Sequence, residues 1–288
     1  MRYIGIACLS MCFLCSHLAK GQSPSEDLRF AQYLVNKKFF DEAIYSLSNL
    51  SKRKLDGGQL DSINYLLGNI YYNKQELENS IQYFDLVTNQ SPRLKSESVF
   101  FSSFNEAYLK RYTPAGKKLN GFIPSDSILQ SLKNFELAGI NLLQRDYDSF
   151  DSLAHFFSVK HFLTSKQQSD LREFRSELHA ASRKSPFTAG LLSAIIPGAG
   201  KFYAGYKGQG FLNFIVAGLL GVQAWEGYHK AGPDSFRFIA YASLFSAFYI
   251  SNIWGSTLAV KIRKDEISKT IDAQILFAMH IPIRSAFH

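Results

Sequence analysis

Cysteine is confined to the first fifteen residues of this 288-residue chain, at Cys8, Cys12 and Cys15. If a leader carrying them is cut away no thiol is left, which excludes disulfides, cysteine-zinc sites and cysteine nucleophiles. Other metal patterns are also lacking. His155 and His161 are six apart, on opposing sides of a helix. Asp146, Asp148 and Asp151 in "DYDSFD" lack the glycine of a calcium loop, and the third acid comes one place late. Glu226 and His229 make half of a paired Glu-x-x-His site, with no second copy. A phosphate loop is missing too: around Gly200 and Lys201, Ile195 stands where the first glycine should be and Phe202 where the Ser or Thr should be. No strand precedes the five glycines between Gly198 and Gly210, so they are not a dinucleotide fingerprint. Without a nucleophile, base and orienting group the chain reads as no enzyme, and no cofactor or metal is expected. The net charge of +8 comes from 32 Lys and Arg against 24 Asp and Glu. These are scattered and have no aromatic platform, so nucleic acid is not an expected partner.

What the chain does have falls into two halves. The opening "MRYIGIACLSMCFLCSHLAKGQS" has one early arginine, an apolar run and small residues Ala19 and Gly21, the layout of a secretory signal over residues 1–21. Up to about Lys184 the composition is that of an ordinary helical protein. From Phe187 to Val260 charges become rare, which marks the strongest boundary in the sequence.

In the first half, "INYLLGNIYYNKQELENSIQYFDLVTNQSP" fits a two-helix unit of 34 residues counted from Asp61. Gly68 and Tyr71 fall on the inner face of its first helix, Ser80 and Phe84 on the second, and Pro92 closes it. Small Gly68 and Ser80 let the helices approach while Tyr71 and Phe84 fill the space around them. Upstream, Ala31 takes the Gly68 place, Ala43 the Ser80 place and Leu47 the Phe84 place. A degenerate copy follows at "NFELAGINLLQRDYDSFDSLAHFF", with Ala138 small and Tyr147 and Phe157 packing. Between them Val99 to Tyr112 reads as a further helix and "TPAGKKLNGFIPSD" as a loop. The pattern resembles the tetratricopeptide repeat over about residues 25–160. That resemblance implies a stacked solenoid whose concave side takes a peptide, unless the chain's own helix from Ser165 to Lys184 fills it.

In the second half, Gln209 to Tyr228 and Phe236 to Val260 are each long enough to span a bilayer, joined by a turn at "HKAGPD". Trp225, Tyr228 and Trp254 lie toward the span ends, where amphipathic rings favour the interface. Ser243, Ala247, Ser251, Gly255 and Ala259 recur every fourth residue and predict a close-packed stripe, facing Ala217 and Gly221. Phe187 to Ile196 is half a span, broken at Pro197. Three spans are expected, with a re-entrant first segment as the alternative; Lys201 and Lys207 then meet anionic headgroups. Asn213, Gln223 and Asn252 lie inside the spans, where they need hydrogen bonds or line a polar path. The tail "QILFAMHIPIRSAF" alternates apolar residues as a strand does. Pro197, Gly198, Gly200, Tyr203 and Gly205 match the Pro-Gly-x-Gly-x-x-Tyr-x-Gly turn of small bacterial membrane domains, which the stretch from Ser185 to Lys264 resembles. That family brings no settled activity. The combination resembles envelope proteins of Bacteroidetes-type bacteria.

The expected fold is all-α, a tetratricopeptide-like solenoid followed by a helical transmembrane hairpin with a short preceding membrane helix. Its parts are a signal peptide at 1–21, repeats at 22–164, a linker helix at 165–186, a membrane domain at 187–264 and a tail at 265–288. The expected role is a scaffold in the bacterial inner membrane, binding an envelope protein through periplasmic repeats and contacting membrane lipid. The alternative is a component of a membrane-protein insertion or transport assembly.

Overall fold

The structure, a computed structural model, describes residues 24–158 and 164–287. The expected signal peptide, its three cysteines and His161 lie outside these. The described residues are all-α, with no strand among them. In chain order the helices are α1 (Pro24–Asn36), α2 (Phe40–Leu50), α3 (Gly57–Asn73), α4 (Leu77–Asp85), α5 (Pro92–Tyr108), α6 (Tyr112–Gly121), α7 (Ser127–Gln144) and α8 (Tyr147–Ala154). They continue as α9 (Ser165–Ser182), α10 (Pro186–Ile195), α11 (Ala199–Ala204), α12 (Lys207–Ala231) and α13 (Phe236–Phe287). Two compact units result: Met1–Ile140 together with Ile283–His288, and Asn141–Pro282.

The first eight helices form four pairs whose first members begin at residues 24, 57, 92 and 127. Each pair turns through one non-glycine residue with positive φ: Lys38 at 63°, Gln75 at 62°, Lys110 at 62° and Arg145 at 66°. The next amide reaches back five residues to close the turn, Phe39 to Leu34, Glu76 to Tyr71, Arg111 to Glu106 and Asp146 to Asn141, at 2.8 to 2.9 Å. That bond is the Schellman closure, which satisfies carbonyls left open at a helix end. The sequence reading expected three such pairs. The pair α5–α6 is additional, because "TPAGKKLNG" is helical rather than a loop, and Pro92, expected to close a repeat, is the first residue of α5.

In the first unit the core joins Ala31, Leu34, Ala43 and Leu47 to Ile63, Leu67 and Ile70. Asp56 and Gln59 form a reciprocal capping box that starts α3. A side chain on Gly68 would place its Cβ 2.6 Å from the Phe84 ring, so glycine sets the α3–α4 approach. Ser80 donates to the Gly68 carbonyl at 2.8 Å, and Tyr71 stacks on Tyr83 at 5.3 Å.

In the second unit α9 lies on α8, where Arg175 pairs with Asp151 at 2.7 Å and Arg172 donates to the Ala154 carbonyl at 2.9 Å. The tail expected as a strand is the continuation of α13. Ile271, Ile275, Ala278, Met279 and Ile283 are buried at helical spacing, whereas Phe277 is 68 % exposed. Among the described residues no helix is long and apolar enough to cross a membrane. The hairpin itself is present as α12 and α13 on either side of Gly232.

Candidate functional site

Two places combine residues in ways that point to binding. In the first unit α3 presents Tyr65, Asn69 and Asn73 at four-residue steps along one face. They line a groove of about 590 Å³ with Gln32 and Asn36 of α1, Arg93 and Glu97 of α5, and Arg284 and Phe287 of α13. Its carboxamides come in matched pairs, Gln32 donating to Asn36 at 3.1 Å and Asn73 to Asn69 at 2.6 Å. Each carboxamide both donates and accepts, which suits recognition of peptide main chain. At the floor the Tyr65 hydroxyl donates to the buried Glu97 carboxylate. Burial, then the neighbouring Glu97 charge, pushes the Tyr65 phenol well above its ordinary range.

None of these groove residues was picked out from the sequence. A signal was there. Gln32 and Asn36 stand 37 residues before Asn69 and Asn73, the offset that also relates Ala31 to Gly68 and Ala43 to Ser80. The helix expected as a groove filler, α9, is not among the lining residues.

The second place is the bundle of α10 to α13, and here every residue of the expected turn has a steric or hydrogen-bonding role. Gly198 (φ 88°) and Gly205 (φ 103°) flank α11 in conformations that L side chains rarely adopt. A Cβ on Gly198 would sit 2.1 Å from the Gly210 carbonyl oxygen, and one on Gly200 2.0 Å from that of Ala189. The Gly200 amide donates to Ser193 Oγ at 2.9 Å, and Ser193 donates to Ser256 at 2.7 Å. The Tyr203 hydroxyl accepts from the Ser185 amide at 3.0 Å, and Pro197 lies in the break between α10 and α11.

The expected stripe of small residues on α13 is not the packing seam. Ser243, Ala247 and Ser251 are exposed, Gly255 is half-buried, and only Ala259 is buried. The seam is rotated to Phe245, which approaches Gly221, and to Asn252 and Ser256, where buried polar groups find partners. Asn213 donates to Asn252 at 2.7 Å, whereas Gln223 accepts from Arg237 at 2.7 Å. The three amides therefore do not meet in one cavity. Glu226 takes Lys230 and Arg237.

The bundle inverts the usual order of burial. Its interior consists of Ala189, Ser193, Gly200, Ala204, Ala217, Ala224, Asn252 and Ser256. Its surface carries Phe187 at 78 %, Leu219 at 62 %, Trp225 at 66 % and Trp254 at 71 % exposure, with many more large apolar side chains. No protein-family model, curated protein or solved structure matches the chain.

Proposed function

We propose that the chain is a non-enzymatic, membrane-anchored scaffold of the bacterial envelope, whose tetratricopeptide-like helix pairs bind a protein partner in the periplasm. The observation that carries the anchoring is the inverted bundle. A water-facing domain rarely exposes contiguous large apolar side chains, and small residues with interhelical amide and hydroxyl bonds are how helices pack in lipid. The small and polar interior faces also lower the mean hydropathy of α12 and α13, so neither meets an apolarity threshold although α12 is about 37 Å long against a hydrocarbon core of about 30 Å. The partner reading rests on the carboxamide-lined groove. A transport role for Asn213, Gln223 and Asn252 has less support, since Asn213 and Asn252 satisfy one another.

Two crossings fit better than three. α10 has ten residues, about 15 Å of helix, half a bilayer. Ile283 onward belongs to the same compact unit as the repeats, so the chain between them crosses an even number of times. α10 and α11 then form a re-entrant element beside two spans, α12 and the first half of α13.

The test is extraction of membranes with alkaline carbonate. The full chain should stay with the membrane, and the triple variant Phe214→Asp, Leu219→Asp, Leu258→Asp should be released or fail to insert. Release of the unaltered chain would sink the anchor.

A further inference from the structure

The groove in the first unit already has an occupant. Arg284 lines both the 590 Å³ groove and a small recess of about 80 Å³ between Tyr65, Tyr72 and Phe101. Phe287 lies where that groove meets a wider one of about 880 Å³ along α5 and α6. Its ring is 5.7 Å from that of fully buried Phe100, which in turn is 5.6 Å from Phe122. Arg284 and Phe287 are three apart on one helix and so reach the same side.

Three features distinguish this contact from core packing. Ile275, Met279 and Ile283 of the same helix are fully buried, but Arg284 is exposed and Phe287 only half-buried. Pro282 interrupts α13 just before the segment, removing a helical hydrogen bond and weakening the helix there. The lining around the segment is polar, so leaving it exposes little apolar surface beyond the Phe287 ring.

We infer that Arg284 and Phe287 are the resting occupant of the partner groove, and that the partner it fits is a helical protein segment with a basic residue and an aromatic residue three positions on. This rests on the groove being the partner site. A tethered occupant acts at an effective concentration in the millimolar range, so an external segment of the same chemistry binds only by displacing it. The groove is thereby closed to weak ligands and open to a segment that makes the same two contacts and adds others.

The probe is a fluorescein-labelled peptide of residues 268–287, measured by anisotropy against the full chain in detergent micelles. Against Arg284→Ala, and against Arg284→Ala with Phe287→Ala, it should bind at least tenfold more tightly than to the unaltered chain. The single variant changes an exposed residue and keeps the readout alive if loss of Phe287 disturbs folding. A peptide with alanine at both anchor positions should not bind the opened chain, and adding Asn69→Leu and Asn73→Leu to that chain should abolish binding of the native peptide. Equal affinity for unaltered and opened chains overturns the inference, as does binding of the alanine peptide. A dimer of the unaltered chain that dissociates on opening also overturns it, because the occupant is then a second copy. Recovery of an envelope partner by the unaltered chain while every peptide arm fails leaves the proposed function standing and removes only this inference.

Discussion

Gly200, Gly205 and Gly208 lie within nine residues of one another and are glycine for different reasons. A Cβ on Gly200 meets backbone, the Ala189 carbonyl oxygen at 2.0 Å, and also Ser193 Oγ at 2.6 Å. Backbone cannot rotate away as a side chain can, so α11 must separate from α10 and the Ser193–Ser256 bond is lost with it. Gly205 has open space around it but a φ of 103°, so a side chain there brings only conformational strain. Gly208 has neither constraint and lies in the first turn of α12. Alanine substitutions should therefore rank by cause. Gly200→Ala costs about 3 kcal/mol or more, Gly205→Ala about 1–2 kcal/mol, and Gly208→Ala is neutral or gains up to about 1 kcal/mol. Thermal unfolding of the three variants in one detergent gives the order, and a Gly208→Ala loss matching that of Gly200→Ala would show that the turn is not what these glycines serve.

At the scale of helices, the buried hydroxyl between paired helices recurs. Ser80 of α4 donates back to the Gly68 carbonyl at 2.8 Å and accepts from Asn105 at 3.0 Å; Ser103 of α5 donates to the Ala115 carbonyl of α6 at 2.9 Å. Ser80→Ala should cost about 1–3 kcal/mol, since it leaves buried Asn105 with one partner fewer. Ser62→Ala, whose hydroxyl bonds only within its own helix, should change the urea midpoint little. Equal effects would mean that the bond across the pair contributes nothing beyond helix propensity. Gly68, Ser80 and Phe84 were legible because a small-small-large contact repeats at a fixed offset. Helix α6 was not, since Pro114, Gly116 and Gly121 read as loop punctuation. Pro114 is the third residue of α6, in the first turn, where a missing amide costs no helical bond. The tail misled because apolar residues at 275, 279 and 283 fit a period of two and a helical repeat equally. Exposed Phe277 decides between them. The α13 stripe misled because small size alone does not fix a seam; Asn252 and Ser256 lie on the adjacent face and need buried partners. The groove amides escaped notice because polar residues on a helix read as solvent-facing until the neighbouring pair encloses them.

At the scale of the whole chain, two lines of argument about topology oppose one another. Lys201, Lys207, Lys261, Arg263 and Lys264 all lie beside the apolar segments, and the bias of basic residues toward the cytoplasm favours three crossings that bring them inside. Parity favours two, because Ile283 to Phe287 share a compact unit with the repeats. Parity is the stronger constraint: it follows from ring contacts such as Phe100 with Phe287, whereas the charge bias is a tendency that internal pairing weakens, and Arg263 is paired with Glu266. The sequence has no cysteine after Cys15, so single cysteines can be placed at Lys166, Lys207, Asp234 and Lys269 with those of the leader replaced by serine. A membrane-impermeant thiol reagent applied from the periplasmic side should label the Lys166, Lys207 and Lys269 positions together and leave Asp234, in the α12–α13 turn, protected until the membrane is permeabilised. Protection of Lys207 and Lys269 with Lys166 labelled would restore three crossings and would require the 283–287 contact to form only outside the membrane. Labelling of all four would mean that the bundle lies on the bilayer without crossing it, with its large apolar side chains seated in one leaflet.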